Sequence, residues 1–199
     1  FSFSLETTQI QSNLGSFTSN LFIPTEDIPG IVDIDGDGDM DILTFDNTGT
    51  FVEYHKNTSI ENTGKCGLEF KLESSCWGNF SESATTNEIT LNQSCSGSDM
   101  SILGGGEHAG STITTINTSA NNPIDVIIGD VSFKNLNYLT NGGNQLNSNI
   151  IEVDNNFPNY DNPISMQLFP YASYVDVNHD SKKDLLITSN NASIGNNKE

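Results

Sequence analysis

No apolar run in this sequence approaches the ~20 residues that a membrane-spanning helix requires. The opening residues, FSFSLETTQI, carry neither the basic segment nor the apolar segment of a signal peptide. Direct insertion into a membrane is therefore not expected. Basic residues are scarce too: Lys and Arg total 7 against 26 Asp and Glu, a net charge of −19. Such a chain repels nucleic acid and anionic membrane surfaces, and its natural partners are cations. Apolar residues make up only 34% of the 199 positions, with Asn, Ser, Thr and Gly filling the difference. Cysteine is limited to Cys66, Cys76 and Cys95. Their closeness in sequence suggests one local disulfide in an exported protein, with the pairing open. No CxxC pair or neighbouring His completes a tetrahedral zinc set. G-x-S-x-G and H-E-x-x-H are missing as well, so no familiar hydrolase signature is present.

Helical periodicity is nearly absent. Apolar residues come instead in short runs, FVEY, LEFKL, EITL, STITTI, DVIIGD, YASYVDV and DLLIT, divided by Asn, Gly, Ser and Pro. β-Branched and aromatic residues dominate these runs, which predicts an all-β protein of many short strands.

Internal repetition is the strongest signal. Ile31 to Phe45, IVDIDGDGDMDILTF, aligns without a gap on Tyr174 to Thr188, YVDVNHDSKKDLLIT. Asp33 matches Asp176, Asp35 matches Asn178, Asp37 matches Asp180 and Asp41 matches Asp184. An eroded copy lies between them, with Asn117, Ser119, Asn121 and Asp125 at the equivalent positions. The chain thus reads as one region, residues 1–199, with repeat loops at 33–41, 117–125 and 176–184. The cysteine-bearing stretch of about 56–108 reads as an insertion or as elaborated outer strands.

In the pattern D-x-D-x-D-G-x-x-D, side-chain oxygens at positions 1, 3, 5 and 9 and the carbonyl at position 7 can converge on one hard cation. Ca²⁺ takes six to eight oxygens at ~2.3 to 2.6 Å and tolerates irregular geometry. The expected ligands are Asp33, Asp35, Asp37 and Asp41 through their carboxylates and Asp39 through its carbonyl. In the third loop they are Asp176, Asn178, Asp180 and Asp184, with the carbonyl of Lys182. Gly38 allows a sharp turn at position 6, where Ser181 stands in the third loop at a cost of ~1 kcal/mol if its backbone is left-handed. Ser181 and Asn178 together predict weaker binding there. The middle loop keeps only Asp125 and has Pro123 at position 7, so no tightly held metal is expected. An EF-hand would need a bidentate Glu at position 12 and flanking helices, but position 12 is Thr44 between strand-like flanks. Acid/base catalysis would need two carboxylates in unlike environments, which adjacent loop aspartates do not offer. A solvated acidic turn would explain one copy, and is strained by two.

Other features carry less. The glycine-rich GGGEHAGS (Gly104 to Ser111) lacks the Lys and Ser/Thr of a phosphate loop and reads as a turn. His55, His108 and His179 are dispersed. Sequons occur at Asn57, Asn79, Asn92, Asn117 and Asn191, and matter only in a glycosylating source. Trp77, beside Cys76, reads as core.

With DIDGDGDMDIL and DVNHDSKKDLL in register, the chain resembles the FG-GAP/VCBS repeat family, whose repeats form blades of integrin-α-like β-propellers with Ca²⁺ in the acidic loop. PGIVDIDGDGDMDILTFDNTGTFVEYHKN, the segment around CWG, HAGST, and NFPNYDNPI followed by YVDVNHDSKKDLLIT look like VCBS-repeat proteins of Bacteroidota, commonly exported by type IX secretion. The resemblance implies an all-β fold of propeller blades, part of a seven- or eight-bladed propeller, with Ca²⁺ as cofactor. Since a propeller needs at least four blades to close and three loops are visible, these residues are expected to belong to a longer chain. The resemblance also implies a secreted or cell-surface, calcium-stabilised and non-catalytic module for recognition or adhesion of an extracellular protein or glycan. The alternative is a scaffold or carbohydrate-binding accessory part of an exported polysaccharide-degrading enzyme.

Overall fold

The computed structural model describes residues 3–83, 85–94, 110–117 and 123–190. Its strands are, in chain order, Gln11–Asn13 (β1), Thr18–Asn20 (β2), Gly30–Val32 (β3), Asp41–Phe45 (β4), Val52–Asn57 (β5), Phe70–Ser74 (β6), Phe80–Glu82 (β7), Ile89–Leu91 (β8), Ser111–Ile116 (β9), Asp125–Asp130 (β10), Leu136–Asn141 (β11), Ile150–Asp154 (β12), Pro170–Val175 (β13) and Asp184–Ser189 (β14). One short helix, α1, covers Ser59–Thr63 and ends on the left-handed Gly64. No helix among the described residues is long and apolar enough to cross a membrane. The protein is all-β, and among the described residues none of the sheets closes on itself. All seven apolar runs supply strands.

Two antiparallel meanders carry the fold. β3, β4, β5 and β6 follow one another across the first sheet, which β1 extends by pairing parallel to β6, with β2 at its edge. β9, β10, β11 and β12 repeat the meander in the second sheet. β13 and β14 form a hairpin, as do β7 and β8. The cysteine-bearing stretch is therefore not one excursion: Lys56 and Asn57 end β5, and β6 is the fourth strand of the first meander. Cys76 is disulfide-bonded, whereas Cys66 is free and exposed; Cys95 lies outside the described residues.

Alternation explains how the sheets stack. Successive side chains on a strand point to opposite faces, so β10, DVIIGD, sends Val126 and Ile128 into one core and Ile127 into another. The first core joins Leu43, Phe45, Val52 and Tyr54 of the first sheet to Ile113, Val126, Ile128 and Leu139 of the second, with Trp77 and Phe80 completing it. The second core joins Ile116, Ile127 and Leu136 to Ala172 of β13. A continuous apolar run buried on both faces is the signature of a central strand, and Ile127 and Ile128 are 1% and 0% exposed.

The first strands of the three repeats, β3, β9 and β13, are neighbours, with β3 and β9 at the edges of their sheets. β3 contacts β9, and β9 contacts β13, around a shared groove of about 420 Å³ lined by Gly30, Ile113, Thr115 and Ala172, among others. β10 approaches β13 closely enough to need a small residue, since a Cβ on Gly129 would stand 2.0 Å from the carbonyl oxygen of Pro170. Each repeat loop leaves from the end of β3, β9 or β13.

Candidate metal centre

The three loops start and finish at the same register. Val32 pairs with Asp41, Ile116 with Asp125 and Val175 with Asp184, so each hairpin opens after the same rung. Short polar side chains then organise the loops by binding their own backbone. In the first, Asp33 accepts from the N–H of Gly36 at 2.7 Å and of Gly38 at 3.1 Å, Asp37 accepts from Asp39 N at 3.1 Å, and Asp41 Oδ2 accepts from Ile34 N at 2.9 Å. In the third, Asp176 accepts from Ser181 N at 2.8 Å, Asp180 from Lys182 N at 2.8 Å, and Asp184 Oδ2 from Val177 N at 3.1 Å. Three of these bonds recur at matching positions, while the bond from Gly36 N to Asp33 is replaced in the third loop by one from Asp180 N to Asp176 at 3.2 Å.

Backbone conformation matches as well. Gly36 and Gly38 have φ of 81° and 100°, while their counterparts His179 and Ser181 have 61° and 70°. The third loop thus holds two non-glycine residues in left-handed conformations, each disfavoured by its Cβ. His179, at a position with no ligand role, is exposed.

The carboxylates of Asp33, Asp35 and Asp37 converge, with one oxygen from each lying within 4.8 Å of the others. This half-buried acidic triad can hold a metal ion, and oxygen ligands in such a turn suit a hard divalent cation. Asp39 and Asp41 do not join the three. Asp39 is 3% exposed and its Oδ2 accepts from Ile60 N of α1 at 3.1 Å. Its Oδ1 is buried with no hydrogen-bond partner. Asp41 is fully buried and accepts from Ile34 N, from Asn57 N at 2.8 Å and from the Tyr54 hydroxyl at 3.2 Å. In the third loop, Asn178, Asp180 and Lys182 are exposed, while Asp176 and Asp184 are partly buried. In the middle loop Asn117 and Asp125 are described, whereas Ser119 and Asn121 lie outside the described residues, as do His108 and most of the glycine-rich stretch.

Burial and mutual repulsion mark the first loop electrostatically. Burial pushes the Asp37 carboxyl up to about 6, against the lowering effect of the Asp39 N–H, and the Asp35 and Asp39 charges add to the rise. Burial likewise raises Asp41 to about 7, although the Ile34 and Asn57 N–H groups pull the other way. Lys56, on β5, reaches into this field. Its ammonium bonds to Asp35 and to Glu61 and lies 3.4 Å from Asp37 Oδ2. Burial alone would lower the Lys56 pKa, but the bonds to Asp35 and Glu61 outweigh it and hold the ammonium charged, while Glu61 is lowered by the same bond.

A feature beyond the acidic loops was missed in the sequence. Asp41 is bound by Tyr54 and Asn57 of β5, and Asp125 is bound by Tyr138 at 2.6 Å and Asn141 N at 2.7 Å of β11. In both cases the tyrosine follows the aspartate by thirteen positions and the asparagine by sixteen. Each asparagine amide also donates to the carbonyl just before its aspartate, Met40 or Ile124. The middle loop has lost every acid but Asp125 and kept this latch, and the spacing was available as a repeat signal. The latch also removes one sequon: Asn57 is 2% exposed and its side chain is spent on Met40, Gly67 and Ser59.

Comparison of the chain with protein-family models, with curated proteins and with solved structures finds no match.

Proposed function

We propose that the protein is a calcium-binding, calcium-stabilised β-repeat module of the FG-GAP/VCBS kind, acting outside the cell in recognition or adhesion without catalysis. The observation that carries this reading is the recurrence of one loop at Asp33–Asp41 and Asp176–Asp184, with three backbone bonds in common, the same left-handed positions and the same closing rung. A solvated acidic turn has no reason to recur in that detail. Ca²⁺ is held by Asp33, Asp35 and Asp37 in the first loop and by Asp176, Asn178 and Asp180 in the third. The cation's role is structural: it neutralises carboxylates that otherwise repel one another, so binding and local order are coupled. The two four-stranded meanders, with β3, β9 and β13 as neighbours, support reading each unit as a propeller blade. Thermal melts test the reading. The midpoint should rise on moving from chelator to millimolar Ca²⁺ and the rise should vanish in Asp37→Ala, while identical melts in both conditions refute it.

A second reading has its own observation. A groove of about 450 Å³ between the second sheet and the β13–β14 hairpin is lined by Tyr138, Phe157, Tyr160 and Tyr174 together with Glu152 and Asp154. Tyr138 and Phe157 stack at 5.1 Å, and Tyr160 is 84% exposed. Aromatic faces beside hydrogen-bonding carboxylates suit a saccharide, as expected of an accessory module in a polysaccharide-degrading enzyme. Glycan binding that is lost in Tyr160→Ala would favour it.

A further inference from the structure

The carboxylates that would hold a cation in the first loop already share one. Lys56 leaves β5 and places its ammonium on Asp35 and Glu61, with Asp37 Oδ2 at 3.4 Å. Only 21% of the lysine side chain is exposed, and 7% of that of Asp35, so solvent screens this pairing less than it would a surface ion pair. Two of the three converging carboxylates are therefore engaged by a positive charge from the chain itself. A divalent ion bound by the same oxygens would sit close to the ammonium, and like charges at that separation repel strongly in a partly desolvated site. Within the triad itself, Asp37 Oδ2 is buried and accepts no hydrogen bond although the ammonium lies 3.4 Å away, and so marks capacity for a cation that the lysine does not meet.

The third loop differs. Among the described residues no lysine is paired with Asp176, Asp180 or Asp184, and Lys183 stands 5.9 Å over the ring of Tyr174 instead.

We propose that Lys56 is a resident counter-ion of the first loop, which a divalent cation must displace from Asp35 and Asp37. This rests on the metal-site reading above. The first loop then binds Ca²⁺ by exchange, less tightly than its carboxylates alone would dictate. The released ammonium stays with Glu61 on α1, so its movement is short. The lysine also stabilises the loop before metal arrives, holding carboxylates together that would otherwise spread.

Calorimetric titration with CaCl₂ tests this on the whole chain carrying Asp176→Asn and Asp180→Asn, which silence the third loop. Adding Lys56→Met should tighten Ca²⁺ binding by roughly tenfold at low salt, an effect that shrinks as salt rises. Melts should move in opposite directions, down in chelator and up in Ca²⁺ relative to the lysine parent, whereas a merely structural lysine would lower both. Equal or weaker binding in Lys56→Met overturns the proposal and leaves the metal site standing. Absence of binding in both proteins overturns the metal site and the proposal with it. If Lys56→Met does not fold without metal, Lys56→Gln, which keeps a polar head on the stem, is measured in its place with the same expected direction.

Discussion

The Tyr54 hydroxyl donates to the Asp41 carboxylate at 3.2 Å in a site closed to solvent, and Tyr138 repeats the contact to Asp125 at 2.6 Å. In each of these two units one aspartate at the start of a strand is tied to the next strand by a side chain and a backbone N–H. Burial raises the Tyr54 and Tyr138 pKa values, and the aspartate each hydroxyl bonds raises them further, so both phenols stay neutral donors. Removing a single donor is mild beside removing the acceptor. Tyr54→Phe should cost about 1 kcal/mol, whereas Asp41→Ala strands the buried N–H groups of Ile34 and Asn57 and should cost about 3 kcal/mol or more. Urea unfolding measures both, and Asp125→Ala should resemble Asp41→Ala, because the latch is common to the two units.

The strands and the acidic loops were legible because their signals are local. Short runs of apolar and β-branched residues mark β4, β9, β10, β13 and β14, and loop oxygens two residues apart can be counted on the sequence. β1 and β2 were not legible: QSN and TSN hold no apolar residue. β1 is a strand through its pairing with β2 on one side and β6 on the other. The fates of Asp39 and Asp41 were hidden for a related reason. The sequence pattern assigns Asp39 a carbonyl role and Asp41 a carboxylate role, but the partners of their side chains, Ile60, Tyr54 and Asn57, come from later segments that only folding brings back. Lys56 was equally invisible, since nothing in FVEYHKN shows that this lysine turns toward Asp35.

Asp39 separates the two kinds of acid in the first loop. Its carboxylate accepts from Ile60 N at the start of α1, and an asparagine keeps an oxygen there. Asp39→Asn should therefore leave Ca²⁺-dependent melting largely intact, whereas Asp37→Asn removes one of the three converging charges and should abolish most of it. A loss of equal size in both variants would mean that the Asp39 carboxylate binds the cation directly.

Backbone strain gives a prediction independent of metal. A Cβ on Gly38 would meet only Ile60 Cδ1 at an ordinary 3.6 Å, so the cost of Gly38→Ala comes from its φ of 100°. That cost should be about 1 to 2 kcal/mol. Ser181→Gly relieves the matching strain in the third loop and should stabilise by up to about 1 kcal/mol, part of the gain being offset by the freer unfolded chain. Chemical denaturation in chelator reads both changes, and a destabilising Ser181→Gly would contradict the left-handed assignment.

Glu82 should make stability fall as pH rises. It is 2% exposed, its Oε2 accepts from the Ser111 hydroxyl at 2.9 Å, and its Oε1 is buried with no hydrogen-bond partner. Burial pushes the carboxyl from its ordinary 4.5 up to about 8, with Asp130 and Asp27 adding to the rise against the lowering effect of Ser111. In the unfolded chain the proton leaves near the ordinary value, while the folded protein keeps it. Between about pH 4.5 and 8 the folded state therefore binds more protons than the unfolded state, and the contribution of Glu82 declines by at most about 1.4 kcal/mol per pH unit. The full contribution is present below the lower bound and is lost as pH passes through the upper. Glu82→Gln keeps a neutral side chain of the same shape and cannot ionise. Unfolding free energies of parent and variant should diverge as pH is raised from 5 to 8, with the variant the more stable at the alkaline end. Parallel pH profiles would show that Glu82 ionises in the folded protein much as it does in the unfolded chain.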